Sequence, residues 1–288
     1  MNFLTDWIDG WLRGVLVDGI MGNLGGLFDN VNAQVGEIAA NVGMTPGDFN
    51  PGVFALIRTI SETVVLPVAG ILLTFVMTWE LIQLIIDRNN LHEIDTWIFF
   101  KWVFKTMIAV LILSNTFNIV MGIFDVAQSV INDAAGVIVG STNIPPDLMA
   151  TFRDELMLMD MGALLGLFMQ SFFIGIIIIA LNIVVFIIVY GRMIEIYILT
   201  SLAPLPMATL TSREMGSMGQ NYMKSLLAVG FQGLLIMVCV AIYAVLVQSI
   251  VTSGDPIGAV WTCIGYTVLL CFTMFKTGTV AKSVFGAH

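Results

Sequence analysis

Hydrophobic and polar positions along the chain alternate on two scales. Long runs without charge are separated by shorter stretches in which apolar residues recur every three or four positions. The longest uncharged run is Met161 to Gly191, which contains no Asp, Glu, Lys, Arg or His. A helix rises about 1.5 Å per residue and a bilayer's hydrocarbon is about 30 Å thick, so roughly 20 apolar residues suffice to cross it. This run exceeds that length and must tilt or extend into a headgroup layer. Four further runs predict spans at about residues 63–86, 100–124, 225–254 and 258–275. Pro67 and Gly70 predict a kink in the first of these.

The periodic stretches predict amphipathic helices. In residues 3–20, Leu4, Trp7, Ile8, Trp11, Leu12, Val15 and Leu16 share a face, with Asp6, Asp9, Arg13 and Asp18 on the rest. Such a helix either lies in the membrane interface or meets a neighbouring subunit. Gly22, Gly25 and Gly26 are expected to end it. A second stripe follows at Leu27, Val31, Val35, Ile38 and Val42. Asn50 is placed to cap a new helix with Pro51 at its first position. Residues 87–99 read as a short polar loop, 125–139 and 147–160 as acidic amphipathic helices, and Gly254-Asp255-Pro256 as a tight turn.

Composition strengthens the membrane reading. The chain has 288 residues, 58% hydrophobic and 11% charged, with a mean hydropathy of +0.96. Soluble domains carry about 25% charged residues. The expected fold is therefore all-α: a polytopic membrane protein of about five transmembrane helices with amphipathic extracellular helices. Residues 1–62 form the outer amphipathic part. Residues 63–288 form the transmembrane domain, with an extracellular insertion at 125–160 and a cytoplasmic-side loop at 192–224. The net charge of −9 excludes a generally basic nucleic-acid binder. Cys239, Cys263 and Cys271 are isolated in apolar runs, and the 18 methionines suit adaptable packing. No cofactor or metal is expected, only bound lipid.

Basic residues set the orientation. Arg88, Lys101, Lys105, Arg192, Arg213, Lys224, Lys276 and Lys282 fall on one side of a five-span topology, and Arg13, Arg58 and Arg153 on the other. The excess marks the cytoplasmic face. The N-terminus then lies outside and the C-terminus inside. The apolar segment 196–212 could be a sixth span. Its Pro204 and Pro206 favour instead a re-entrant or interfacial element buried against protein.

Candidate polar positions within the spans are few. Glu80 and Gln83 share a face near the end of the first span. Glu80 either lines a pore, pairs with a neighbouring Lys, or snorkels to the boundary. Ser114, Asn115 and Asn118 either hydrogen-bond to another helix or line a conduit. Gln170 and Asn182 are further candidates, and Gly175 with Asn182 predicts a helix–helix seam. Trp97, Lys101, Trp102 and Lys105 form an interfacial anchor of aromatic and cationic side chains. No GxxxxGK[ST], HExxH or GxSxG pattern occurs in the sequence, so the reading is non-enzymatic. A coupled carrier would show midplane charges or internal repeats, and neither is evident.

The stretch EIYILTSLAPLPMATLTSREMGSMGQNYMKSLLAVGFQ, Glu195 to Gln232, resembles the TrbL family. This is the polytopic membrane subunit of conjugative type IV secretion systems, equivalent to the sixth VirB subunit. Ala203-Pro204-Leu205-Pro206 and Thr211-Ser212-Arg213 carry the resemblance, with Arg192 and Glu195 ahead of them and Tyr222 leading into the next span. WIDGWL, VGEIA, SETVVLPVAG and DTWIFFKWVFK also look family-like. The pattern is most similar to compact versions on integrative conjugative elements of Gram-positive gut bacteria. The resemblance implies a five-span subunit, N-terminus outside, that assembles as a homo-oligomer, a pentamer, around a central opening. Its implied partners are secretion ATPases, a coupling protein, bitopic scaffold subunits and the lipid bilayer. The implied substrate is a transient single-stranded DNA–relaxase complex. The rival readings are a scaffold that encloses no path and an unrelated small-ion channel.

Overall fold

A computed structural model describes residues 3–86, 96–139, 146–250 and 256–287. The described residues are helical apart from turns, in the order α1 (Phe3–Val42), α2 (Pro46–Phe49), α3 (Pro51–Ile60), a π-turn (Ser61–Val65), α4 (Leu66–Ile86), α5 (Thr96–Ser114), α6 (Thr116–Val139), α7 (Pro146–Leu158), α8 (Met161–Leu202), α9 (Pro204–Met207), α10 (Gly216–Ile250) and α11 (Pro256–Phe285). Among them, five helical segments are long and apolar enough to cross a membrane: Pro51–Ile86, Trp97–Ser114, Met161–Leu202, Gly216–Ser249 and Ile264–Phe285. The chain is an all-α, multi-pass membrane protein.

Several boundaries differ from expectation. The glycines at 22, 25 and 26 do not interrupt α1. An interior glycine costs a helix only about 1 kcal/mol, and Ile20 and Leu24, buried on either side of Gly22, hold the turn in place. The central span does not stop at Gly191 but continues as helix to Leu202. Nothing between Arg192 and Leu202 breaks a helix; the break comes at Pro204, which has no N–H to donate. The sixth-span alternative for 196–212 therefore fails, since its first part belongs to α8 and its remainder is α9 and a turn.

The second span ends at Ser114 rather than 124. There, Ser114 Oγ, Asn115 Nδ2 and Thr116 Oγ1 donate in succession to the carbonyls of Val110, Leu111 and Ile112, at 2.8, 2.9 and 3.0 Å. Such back-bonding competes with the helical ladder and bends it. The segment two residues ahead of Pro67 is a π-turn, Ser61–Val65. A π-turn shifts the carbonyls that the proline ring would otherwise strike. The 87–99 loop is helical from Thr96; its remainder lies outside the described residues, as does most of the 254–256 turn. The loop at 192–224 is reduced to α9 and the turns up to Met215.

Two compact units emerge. The first comprises residues 1–42, 131–189 and 234–277. Its core joins Leu16, Val17 and Ile20 of α1 to Leu156 of α7, Leu164 and Leu167 of α8, and Ile236 and Met237 of α10. The expected stripe on α1 divides: Leu16 is buried, whereas Trp7, Ile8, Trp11 and Val15 remain exposed. Arg13 donates to Met157 O at 2.8 Å, and Arg153 pairs with Asp18 at 2.7 Å, so α1 and α7 are joined at two points. Asn23 Nδ2 donates to Ser171 Oγ at 2.7 Å, tying α1 to α8.

The second unit comprises residues 43–130, 190–233 and 278–288. Asn50 caps α3 as its position before Pro51 predicts, its side chain accepting from Val53 N at 3.0 Å. The linker that carries α2 is fixed twice: Tyr197 donates to Pro46 O at 2.7 Å, and Gln128 donates to Met44 O. Two apolar clusters lie here. One joins Val120 and Phe124 of α6 to Met193 and Ile196 of α8 and Leu226 and Val229 of α10. The other joins α4 and α5 through Leu73, Val76, Met77 and Ala109, with Ala208 following α9.

Candidate functional site

The polar side chains of the second unit converge where α4 ends and α5 begins. Glu80 sits on the face of α4 that packs toward α5, only 7% exposed. A carboxylate at that depth is costly unless a cation meets it. Lys105, one helix turn beyond Lys101, supplies that cation and forms an ion pair with Glu80 Oε1. Glu80 Oε2 is buried with no hydrogen-bond partner among the described residues. The snorkelling alternative does not describe this side chain, because it faces α5.

The expected anchor therefore splits. Trp102 turns inward and its indole N–H donates to Met77 O at 3.1 Å, while Lys105 turns to Glu80. Trp97 stays 62% exposed, with Lys101 Nζ 5.6 Å from its ring centroid. A 3.6-residue period puts 101 and 105 on nearly the same face, but only the deeper one reaches the carboxylate.

The proline motif supplies the third wall. Pro204 opens α9 at its first turn, where a missing N–H leaves no bond unmade. Pro206 O accepts from Thr209 Oγ1 at 2.8 Å. The chain then turns through Ser212, whose hydroxyl accepts from Met215 N at 3.2 Å. This turn projects Arg213 and Glu214 toward the end of α4. Glu214 accepts from the Trp79 indole at 2.9 Å. Arg213 lines two adjoining cavities: one of about 250 Å³ with Glu80, Leu84, Ile98, Lys101, Trp102 and Lys105, and a smaller one of about 60 Å³ that includes Gln83 and Glu214. Arg213, Glu80, Gln83, Lys101 and Lys105 thus meet in space. Their grouping depends on a turn more than 100 residues beyond Lys105, and sequence spacing gives no hint of it.

The remaining candidates lie elsewhere. Arg192 is a helix residue of α8, not a loop residue. It is 3% exposed, with Nε donating to Val229 O at 3.1 Å and Nη2 to Gly230 O at 3.0 Å. Glu195 pairs with Lys282 at 2.9 Å. Gln170 accepts from the Trp261 indole at 3.1 Å in the first unit. Asn115 bonds back to its own helix rather than to another, as does Ser114, and Asn118 is exposed on α6. Gly175 and Asn182 do not form a seam within the first unit. Both are exposed, and a Cβ built at Gly175 meets nothing within 4 Å. Sequence reasoning missed Trp79, Gln128 and Tyr197, whose partners are backbone carbonyls or residues far along the chain.

Five apolar helices, a buried ion pair between α4 and α5 and a proline-notched turn define a polytopic membrane protein, with no group of three or more His, Cys, Asp or Glu poised for a metal among the described residues. A family profile described as "TrbL/VirB6 plasmid conjugal transfer like protein" matches residues 31–204, more than half of the chain, and the chain belongs to that family. The match takes in the first two spans and α8 and ends at Pro204, so Arg213 and the turn around it lie beyond it. No curated protein and no solved structure matches the chain.

Proposed function

We propose that this protein is a membrane channel or platform subunit of a conjugative type IV secretion system, helping single-stranded DNA with its bound relaxase across the cell membrane. Membership of the conjugal-transfer family carries the reading. Secretion ATPases would supply the energy, and the coupling protein and bitopic scaffold subunits would dock on the assembly. The orientation follows from the basic-residue bias, with the N-terminus outside and the C-terminus cytoplasmic. Residues 1–62 and 125–160 would then contribute an acidic outer surface. Tight adhesion of polyanionic DNA to that surface would be unfavourable, as passage requires.

Assembly as a homo-oligomer is supported by Asn182, and the pentamer is proposed from the family resemblance alone. Its amide is exposed at the middle of α8, the most apolar span. An amide facing lipid has no partner, whereas one facing a second copy or a water-filled path does. The test is twofold. Deletion of the gene should abolish conjugative DNA transfer, and normal transfer would reject the role. Single cysteines stepped along α8 should show a water-accessible stripe containing position 182. Accessibility nowhere along the helix would favour an assembly scaffold that encloses no path.

A further inference from the structure

The 250 Å³ cavity at the α4–α5 boundary has features that neither channel formation nor ion pairing explains. Its lining holds three cations, Lys101, Lys105 and Arg213, against one carboxylate, Glu80. Glu80 engages Lys105. Lys101 and Arg213 have no carboxylate partner among the described residues, and both are exposed. Two of the three lining cations are therefore without an ion pair among the described residues. Glu80 Oε2 is enclosed by protein rather than open to the cavity. A ligand that fits must therefore answer the two cations and bring negative charge.

The position narrows the ligand further. The cavity lies at the shared boundary of two spans, since α4 ends at Ile86 and α5 starts at Thr96. Trp97, exposed at the start of α5, is of the residue type favoured at headgroup level. Leu84, Ile98 and Trp102 give the cavity an apolar wall beside the charges, as an amphiphile requires. A volume near 250 Å³ accommodates one headgroup but not a strand of DNA, which needs an extended groove.

The geometry points to a binding site for one acidic glycerophospholipid, its phosphate held by Lys101 and Arg213. The acyl chains follow the apolar wall outward. Because Arg213 arrives from the turn after α9, the lipid would join that turn to α5. The inference is independent of what the assembly transports.

The experiment is native mass spectrometry of the full chain released from nanodiscs containing equal parts phosphatidylglycerol and phosphatidylcholine. Phosphatidylglycerol, which carries a net negative charge, should be retained far above phosphatidylcholine, which carries none. Lys101→Ala/Arg213→Ala should lower phosphatidylglycerol retention on the order of tenfold. Both side chains are exposed, so the unfolding temperature in detergent should be unchanged. Equal retention of phosphatidylglycerol and phosphatidylcholine, or unchanged retention in the double variant, overturns the site. Displacement of the lipid by equimolar glycerol phosphate or by a short single-stranded oligonucleotide would instead assign the cavity to a soluble phosphate or to DNA, and overturns the lipid inference.

Discussion

Arg192 of α8 donates through Nη2 to the carbonyl oxygen of Gly230, in the interior of α10, at 3.0 Å. With Nε on the preceding carbonyl, that of Val229, the guanidinium spans two successive carbonyls of one helix. Gly230 also lies close to α6: a Cβ there would stand 3.3 Å from Ala127 Cβ. Three helices of the second unit therefore meet around one fork of donors. Lysine could not reproduce the contact, because its single ammonium lacks the planar spread. Arg192→Met should destabilise the protein by about 3 kcal/mol, reflecting two charge-assisted bonds. Arg192→Lys should recover less than half of that. Thermal unfolding in detergent checks both, and equal stability of the lysine variant and wild type would contradict the fork.

The Glu80–Lys105 pair should behave as a buried pair rather than as a surface one. Its carboxylate side chain is 8% exposed and its ammonium side chain 30%. Removing one partner strands a charge near lipid, so Glu80→Ala should cost on the order of 3 kcal/mol. Glu80→Met combined with Lys105→Met should be far milder, because both charges go together. A double-mutant cycle on unfolding free energy measures the coupling. Additive effects would mean that the two side chains do not meet.

The first turn of α10 is pressed onto the backbone of the proline motif. A Cβ at Gly219 would lie 2.8 Å from both Leu210 Cα and Pro206 O. Backbone atoms do not swing aside as a flexible side chain does. Gly219→Ala should therefore destabilise by about 1–3 kcal/mol and shift the turn that carries Arg213. Gly175→Ala, with nothing within 4 Å, should leave the isolated chain's stability unchanged. Unfolding temperatures of the two variants, measured side by side, test the contrast.

Asn182 provides the test of assembly. Asn182→Leu should leave the isolated chain's unfolding temperature unchanged or raised, since the amide is exposed and an apolar side chain suits lipid. If the amide meets another copy, the same substitution should reduce the yield of cross-linked oligomer in membranes severalfold, as lost interhelical hydrogen bonds of about 1 kcal/mol per subunit accumulate. An unchanged oligomer yield would remove Asn182 from the subunit interface.

The chain's hydrophobic runs were enough to establish helices, a membrane and five crossings, because span length is set by bilayer thickness and every unbroken apolar run of that length must obey it. Asn50 before Pro51 was legible for a similar reason: capping is a contact between near neighbours. Helix ends that depend on competing local bonds were less so. Ser114 and Asn115 read as polar glue for another helix, yet they bond to their own. Pro204 ends α8, while Arg192 and Glu195, polar as they are, do not.

What only the tertiary structure decided is which polar groups meet. Periodicity placed Lys101 and Lys105 on one face, but the approach of α4 chose Lys105 for Glu80 and left Lys101 at the cavity mouth. The turn after α9 brought Arg213 to the same place from far along the chain. Pairings of that kind rest on how helices pack and on where one proline turns the backbone. Those are properties of distances through space, which a linear pattern of residues does not contain.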